Sequence, residues 1–285
     1  MRTLFIPCYF DGLPRDSGSA MIRAQWVADH WDGAEVYDRS QRLSGWDVYV
    51  FQKAYLVKET QAWIRAVARW RDERKCVLVF DLCDPDFLDE EHEQRMLNVL
   101  PLFDFAVGST EPLTAWLSQW LPAYHIRDRL DLAFVDSIGH VATYTDATGP
   151  TVVWAGYAHN WPHVQDAVRG WTRELGLQLD VQAVDTPKPF VEFWRDVLQA
   201  DVLLNPRVGG DDSPTFYKSD NKTVTAWALG QPVARTFDEL RKLCDPIERR
   251  REGTSRACEA RVNYHVRLSV HEWQQAIADW RTDDE

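Results

Sequence analysis

The chain has 285 residues, of which 45% are hydrophobic, and its formal net charge is -12. This length and apolar content suffice for two domains, and the acidic balance argues against general binding to nucleic acid, which is a polyanion. Charged residues make up 27% of the chain, and neither an eighteen-residue apolar stretch nor a secretory signal is present. We therefore expect a cytoplasmic protein with no membrane-spanning helix.

Short apolar runs and amphipathic runs alternate through the first half of the chain. The runs rich in Val, Ile, Phe and Tyr predict strands at 3–8, 34–37, 47–51, 76–81, 104–108 and 123–127. The amphipathic runs predict helices at 19–31, 59–74, 89–99 and 111–120. Because parallel strands need crossover connections, which are usually helical, this alternation indicates a parallel sheet covered on both faces.

The alternation loosens over 131–149 and then resumes. The second half predicts strands at 151–155, 179–184, 201–205 and 232–235, and helices at 162–175, 188–199, 219–229, 237–243 and 270–281. Ser269 and Glu272 have the spacing of a capping box for the last helix. We expect an α/β protein with two doubly wound, Rossmann-like domains facing across a cleft, with these segments: domain 1–132, linker 133–149, domain 150–262 and terminal helix 263–285.

No metal or cofactor pattern stands out. The five cysteines are scattered without a C-x-x-C pair, the histidines lack zinc spacing, and no D-x-D motif is present apart from the predicted turn around Asp84 and Pro85. The sequence also lacks a Walker loop and a G-x-S-x-G elbow, which argues against P-loop and serine-hydrolase chemistry. We expect chemistry that needs neither a metal nor a bound cofactor.

The stretch "KSDNKTVTAWALGQPVA", residues 218–234, places cations where a predicted helix begins. Lys218 and Lys222 oppose the helix macrodipole there, and a bound phosphate would remove the conflict. Gly230 and Pro232 then end the helix before the next strand. The alternative is that both lysines are solvated surface residues.

The longer stretch 201–234, "DVLLNPRVGGDDSPTFYKSDNKTVTAWALGQPVA", resembles the donor-binding segment of GT-B glycosyltransferases of the family 1/4-like group. Further stretches are similar to other parts of that fold in matching order, namely 16–31, 79–85, 106–117, 124–132 and 152–160. The resemblance spans most of the chain, and 201–234 is its specific part. It implies transfer of a sugar from a nucleotide-sugar donor, bound by domain 150–262, to a hydroxyl-bearing acceptor on domain 1–132.

The resemblance also implies site residues. Those facing the donor would be Gly18, Ser19, Arg23, Gly156, His159, Asn160, Lys218, Ser219, Asn221, Lys222 and Thr225. Asp16 and Asp84 are the candidates for catalysis, because removing a proton from an acceptor hydroxyl needs a positioned acceptor group. Each carboxylate also has a structural interpretation, Asp16 as a helix N-cap and Asp84 as part of the turn in "DLCDP".

Two departures from the family keep alternatives open. Tyr217 and Thr225 stand where many retaining members carry carboxylates, so the donor nucleotide is not predicted. These two residues motivate a non-catalytic nucleotide-sugar sensor as an alternative. A nucleotide-sugar epimerase on the same fold, which would need the donor but no acceptor, is another. A DNA-modifying glycosyltransferase is a further alternative, in which DNA is the acceptor and the arginine-rich stretch 249–267 contacts it; a solvated helix face is the other interpretation of that stretch.

Overall fold

The computed structural model describes residues 1–7, 18–38, 42–74, 76–139, 142, 144–147, 149–185 and 188–283. The chain forms two compact units, and each is discontinuous in sequence. Unit 1 contains Met1–Asp128, Tyr217–Ser219 and Val266–Glu285; unit 2 contains Arg129–Phe216 and Asp220–His265. The sequence segments proposed above were continuous, because a composition shift cannot reveal a chain that crosses between units four times.

Unit 1 is built on a parallel six-stranded sheet in the order β2-β1-β3-β4-β5-β6. Its strands are β1 (Thr3–Ile6), β2 (Ala34–Val36), β3 (Val48–Gln52), β4 (Val77–Leu82), β5 (Phe105–Gly108) and β6 (Ala123–His125). Strands β1, β3, β4 and β5 are buried along their whole length, as expected for a parallel sheet covered on both faces. This confirms the six strands predicted for the first half.

The helices of unit 1 connect and cover these strands. They are α1 (Gly18–Ala20), a π-helical turn (Met21–Gln25), α2 (Trp26–Asp29), α3 (Lys58–Arg74), α4 (Glu90–Leu97), α5 (Glu111–Leu117) and α13 (Val266–Asp283). The prediction that Ser269 begins the last helix was wrong, since α13 begins three residues earlier. Ser269 is buried inside α13, and its hydroxyl donates to the carbonyl oxygen of Arg127 at 3.0 Å.

Unit 2 contains a parallel four-stranded sheet in the order β10-β9-β7-β8. Its strands are β7 (Val152–Tyr157), β8 (Leu179–Val184), β9 (Val202–Leu204) and β10 (Val233–Ala234). Val152, Trp154, Val202 and Leu204 lie in its buried core. The α/β class with two parallel sheets is therefore confirmed.

The helices of unit 2 follow the predicted alternation, with three additions. They are α6 (Leu132–Ser137), α7 (Gln165–Leu175), α8 (Phe190–Val197), α9 (Pro214–Tyr217), α10 (Asn221–Ala228), α11 (Phe237–Lys242) and α12 (Pro246–Asn263). The additions are α6, α9 and α12. Helix α6 occupies the start of the proposed linker, and Asp131 caps it by accepting hydrogen bonds from Ala133 and Phe134. None of the helices in the described part of the chain is long and apolar enough to cross a membrane.

Candidate functional site

The carboxyl edge of the unit 2 sheet contains a topological switch point. From β7 the chain crosses to β8 on one side and then returns to β9 on the other, so the crossover direction reverses between β7 and β9. In doubly wound sheets, ligands bind at such an edge, beside the helix that follows the strand. After β9 come the short helix α9 and then α10, whose first turn carries Asn221 and Lys222.

Lys222 and Gly156 meet at this edge. The Lys222 ammonium donates to the carbonyl oxygen of Ala155 at 2.9 Å and lies 5.7 Å from the centre of the Trp154 ring. A Cβ atom placed on Gly156 would lie 3.0 Å from the Lys222 Nζ, so the missing side chain is what allows this approach. The structure thus brings together two of the residues that the resemblance implied, and it places a cation at the end of β7.

Two other predicted residues at the start of α10 have different surroundings. Asn221 is the first residue of the helix, and its carbonyl oxygen accepts a hydrogen bond from the Thr225 hydroxyl at 2.7 Å. Thr225 is 1% exposed, so its hydroxyl points along the helix within the packed interior. This geometry favours a packing role for Thr225 over contact with a donor.

His159 and Asn160 lie just beyond the end of β7, in a 3₁₀ segment over Ala158–His163. The Nε2 atom of His159 is 3.2 Å from the Asn160 amide nitrogen, and the imidazole stacks on the Tyr157 ring with centroids 5.6 Å apart. His159 is exposed, and Asn160 is half-buried. Both polar groups are therefore at the same sheet edge as Gly156, where a ligand can reach them.

The end of β9 supplies a residue that sequence reasoning missed. The Asn205 amide donates to the Thr223 hydroxyl at 2.8 Å and thereby joins the end of β9 to the first turn of α10. A polar residue placed directly after a buried strand was the available signal.

Unit 1 carries a compact ion cluster around Asp84, which lies just beyond the end of β4. Its carboxylate pairs with the Lys53 ammonium at 2.6 Å and with that of Lys218. Lys53 also reaches Asp86 at 3.1 Å. Lys218 therefore lies with Asp84, and both belong to unit 1.

The cluster sets the protonation state of Asp84. Burial acts to raise its pKa, but Lys218 and Lys53 outweigh burial and hold the pKa well below its usual range. A general base works best with a pKa near the operating pH, so a carboxylate held this firmly ionised is a weak base. The geometry favours a role for Asp84 in holding the two lysines rather than in accepting a proton.

Lys53 was missed by sequence reasoning. It is 8% exposed, and it follows β3 with a left-handed backbone, φ 48°. Burial acts to lower its pKa, but Asp84 and neighbouring groups raise it well above its ordinary value, so the ammonium stays charged. Its only sequence signal was a lysine directly after an apolar strand, and lysines of that kind are usually solvated.

The segment Tyr217–Ser219 packs within unit 1. The Tyr217 ring meets Phe87 edge-on with centroids 5.1 Å apart, and the Thr110 hydroxyl donates to the Tyr217 carbonyl oxygen at 3.1 Å. Tyr217 thus fills an apolar position where the resemblance would place a carboxylate. Ser219 belongs to the same segment.

Arg23 is buried in an ion cluster of its own. Its Nε atom donates to the Asp81 carboxylate at 2.9 Å. Its Nη1 atom donates to the Asp128 carboxylate at 2.7 Å and to the Ile126 carbonyl oxygen at 2.9 Å. The side chain is 3% exposed, and it joins the π-helical turn to β4 and to the segment after β6. The geometry favours a structural role for Arg23 over the predicted donor contact.

The remaining predicted residues lie near the first helix. Gly18 opens α1, and the Ser19 carbonyl oxygen accepts a hydrogen bond from the Gln52 amide at 3.1 Å. Asp16 lies outside the described residues. Within the described ranges, no group of three or more His, Cys, Asp or Glu side chains could hold a metal ion.

The arginines of 249–267 are largely engaged within unit 2. Arg249 is fully buried and donates to four carbonyl oxygens, those of Leu243, Cys244, Thr145 and Ala147. Four others form ion pairs with carboxylates: Arg250 with Asp146, Arg251 with Glu248, Arg256 with Glu252 and Glu259, and Arg261 with Asp136. These contacts support the interpretation of α12 as a structural helix with a solvated, salt-bridged face.

Comparison with known proteins gives structural likeness only. No family model matches the chain, and no curated protein matches its sequence. Among solved structures, S. aureus TarM, in complex with fondaparinux, α-GlcNAc-glycerol and UDP, is similar to it at 7% identity and a TM-score of 0.47, over 80% of this chain and 54% of TarM. The pneumococcal O-GlcNAc transferase GtfA, in complex with UDP and GlcNAc, has 9% identity and a TM-score of 0.44, over 82% of this chain and 56% of GtfA.

A mutant O-GlcNAc transferase from Thermobaculum terrenum has 10% identity and a TM-score of 0.47, over 99% of this chain and 68% of that protein. The chain spans just over half the length of TarM and of GtfA. Two of these neighbours are named as O-GlcNAc transferases. Because fold likeness does not transfer chemistry, the activity of this chain has to be argued from its own side chains.

Proposed function

We propose that this protein is a glycosyltransferase that moves a sugar from a nucleotide-sugar donor to a hydroxyl-bearing acceptor. The observation that carries the proposal is the meeting of Lys222, Gly156 and the first turn of α10 at the switch point of the unit 2 sheet. The diphosphate of a nucleotide sugar is the group that this arrangement suits best, because its two negative charges can meet the Lys222 ammonium and the N–H groups at the start of α10.

Lys222 would take the main electrostatic role. Breaking the bond between the sugar and the diphosphate leaves negative charge on the departing oxygen, and an ammonium already in place lowers the cost of that charge. The N–H groups at the start of a helix favour the same anion. His159 and Asn160, on the neighbouring 3₁₀ segment, would provide hydrogen bonds to the donor.

The acceptor hydroxyl needs a group to take its proton, and Asp84 is a weak candidate because Lys53 and Lys218 hold it ionised. Asp16 therefore remains the candidate base that the resemblance implies. We propose that transfer proceeds without a metal, with lysine and helix N–H groups meeting the charge of the leaving diphosphate. Activity retained in excess EDTA would support this, and activity restored only by a divalent cation would contradict it.

A non-catalytic nucleotide-sugar sensor is the second candidate function. The specific observation in its favour concerns the two positions where the resemblance would place carboxylates. Tyr217 packs against Phe87 and Thr225 is buried, so both side chains serve packing instead. A sensor would bind the donor without consuming it. Release of nucleoside diphosphate from the sugar conjugate in the presence of acceptors separates the two functions.

The proposal is tested first by ligand-dependent stabilisation. Thermal unfolding would be followed with UDP, GDP, ADP and CMP and with their sugar conjugates, for the natural protein and for Lys222→Ala. A ligand at about 100 times its Kd should add about 3 kcal/mol to the free energy of unfolding. A shift with one nucleotide family that Lys222→Ala reduces supports the donor site, and no shift with any of them contradicts it.

A further inference from the structure

The residue before α10 is an aspartate that does not cap its helix. Asp220 occupies the N-cap position, yet its side chain accepts no hydrogen bond from the first turn. Elsewhere in the described chain, several helices begin with an aspartate or threonine whose side chain accepts such a bond: Asp89, Thr110, Asp131, Thr236 and Asp245. Asp220 is therefore a residue type that commonly caps helices, but its carboxylate does not bond to the first turn of α10.

Arg207 holds that carboxylate. Its Nη2 atom donates to the Asp220 carboxylate at 2.8 Å, and its Nη1 atom donates to the Thr215 carbonyl oxygen at 2.9 Å. Arg207 is the third residue after β9, so its guanidinium reaches from the carboxyl edge of the sheet to the start of α10. The Arg207 side chain is 25% exposed and that of Asp220 is 52% exposed, so the pair lies at the surface of the edge.

An aspartate at this point conflicts with the proposed ligand. A free Asp220 carboxylate could turn to the first N–H groups of α10 and occupy the positions that a phosphate would take. It would also place a negative charge beside a diphosphate. The salt bridge with Arg207 opposes both effects, since it draws the carboxylate aside and neutralises its charge.

We propose that Arg207 is a positioning residue of the donor site, which acts by holding and neutralising Asp220 rather than by touching the sugar. This inference rests on the proposed function, because it assigns a role at the same site. It identifies the bound group as an anion that competes with a carboxylate, such as the diphosphate of the donor.

A structural role for the same salt bridge makes a different prediction. The pair joins residues 13 positions apart, and if closing this loop were its whole role, removing either partner would be equally harmful. If Arg207 acts through the Asp220 charge, removing that charge should be harmless and should make Arg207 dispensable. The double variant therefore separates the two roles.

The experiment is isothermal titration of the full chain with inorganic pyrophosphate and with UDP, GDP and ADP. Arg207→Met should weaken the tightest of these by roughly fivefold, as expected for one unscreened charge several ångströms away in a watery site. Asp220→Ala, which can neither cap the helix nor carry a charge, should bind at least as tightly as the natural protein, and Arg207→Met combined with Asp220→Ala should return to within about twofold of it. Arg207→Lys, which retains the charge without the fork to Thr215, should lose less affinity than Arg207→Met.

The matched control is the Arg261–Asp136 pair, which lies in the same unit with 40% and 59% exposed side chains. Arg261→Met and Asp136→Ala should leave the titrations unchanged. A double variant as weak as Arg207→Met, or an Arg207→Met protein that binds like the natural one, would overturn the role of Arg207 and leave the donor site standing. A natural protein that binds none of the four probes would overturn the proposed function and this inference together.

Discussion

Cations lie at the carboxyl edges of both sheets, but the contacts they make differ. At the unit 1 edge, cations are matched by carboxylates, as Arg23 is by Asp81 and Asp128, and Lys53 by Asp84 and Asp86. At the unit 2 edge, the Lys222 ammonium lies against a carbonyl oxygen and an indole ring. The largely buried, matched charges of unit 1 hold its fold together, whereas the Lys222 ammonium, at the switch-point edge in the first turn of α10, is placed to receive an anion. We therefore expect stability to depend on the first set, and we propose that Lys222 contributes to ligand binding.

The largest effect expected at the unit 1 edge is that of Arg23→Met. It leaves two buried carboxylates without their cation, so it should cost about 3–5 kcal/mol of the free energy of unfolding. Denaturant titration measures this, with Arg127→Met as the control, because the Arg127 side chain is 55% exposed. A stable Arg23→Met protein that had lost nucleotide binding would instead indicate that Arg23 contacts the nucleotide-sugar donor, and it would contradict the stabilising role given to the unit 1 edge.

Asp84→Asn tests the second cluster of unit 1. The substitution leaves Lys53 with one carboxylate partner, and we expect a cost of about 1–3 kcal/mol at neutral pH, since Asp84 is partly exposed. The folded-state pKa of Asp84 is depressed, so its contribution is present above the unfolded pKa, roughly pH 4, and is lost as the pH falls through the folded-state pKa. The difference in free energy of unfolding between the natural protein and Asp84→Asn should therefore shrink as the pH falls below the unfolded pKa of roughly 4. A gap that stayed constant down to acid unfolding would refute the ion-pair account.

Lys222→Met tests the unit 2 edge. The change removes the ammonium while keeping most of the side-chain volume, so it should weaken nucleoside diphosphate binding by roughly tenfold and alter stability little. Titration calorimetry and denaturant unfolding measure the two quantities on the same protein. A large loss of stability with unchanged binding would place Lys222 with the structural lysines of unit 1.

Gly156→Ala should produce the smallest effect. The new Cβ atom would lie 3.0 Å from the Lys222 Nζ and 3.4 Å from two carbons of the Trp154 ring, so the flexible ammonium end has to shift by a few tenths of an ångström. We expect roughly twofold to threefold weaker binding with little change in stability. Gly170→Ala is the control, because nothing lies within 4 Å of its added Cβ atom. Equal effects of the two substitutions would mean that the approach of Lys222 to Gly156 does not matter for binding.

The sequence predicted regular elements better than it predicted side-chain partners. The order and approximate bounds of the ten strands follow from local apolar runs bounded by turn residues, and the structure confirms them. The pairing of Lys222 with Gly156 was also within reach, because parallel strands bring their carboxyl ends to one edge. Ser269 was misplaced because a capping pattern can also occur inside a helix that continues in both directions.

The partners of Lys53 and Arg207 were out of reach because they depend on long-range geometry. Lys53 meets residues that lie about thirty positions away, and a lysine after a strand carries no mark that it will be buried. Arg207 pairs with Asp220 across a loop, and local sequence propensities do not predict which residues such a loop brings together. The same limit applies to the segment Tyr217–Ser219, which belongs to unit 1 although the helices on either side of it belong largely to unit 2.

The most direct test compares two lysines four positions apart in the sequence. Nucleoside diphosphates would be titrated into the natural protein, Lys218→Ala and Lys222→Ala under identical conditions. Because Lys218 pairs with Asp84 in unit 1 and Lys222 lies at the switch-point edge of unit 2, Lys222→Ala should weaken binding roughly tenfold and Lys218→Ala by less than about threefold. The reverse order, or equal losses, would contradict the division of roles between the two edges.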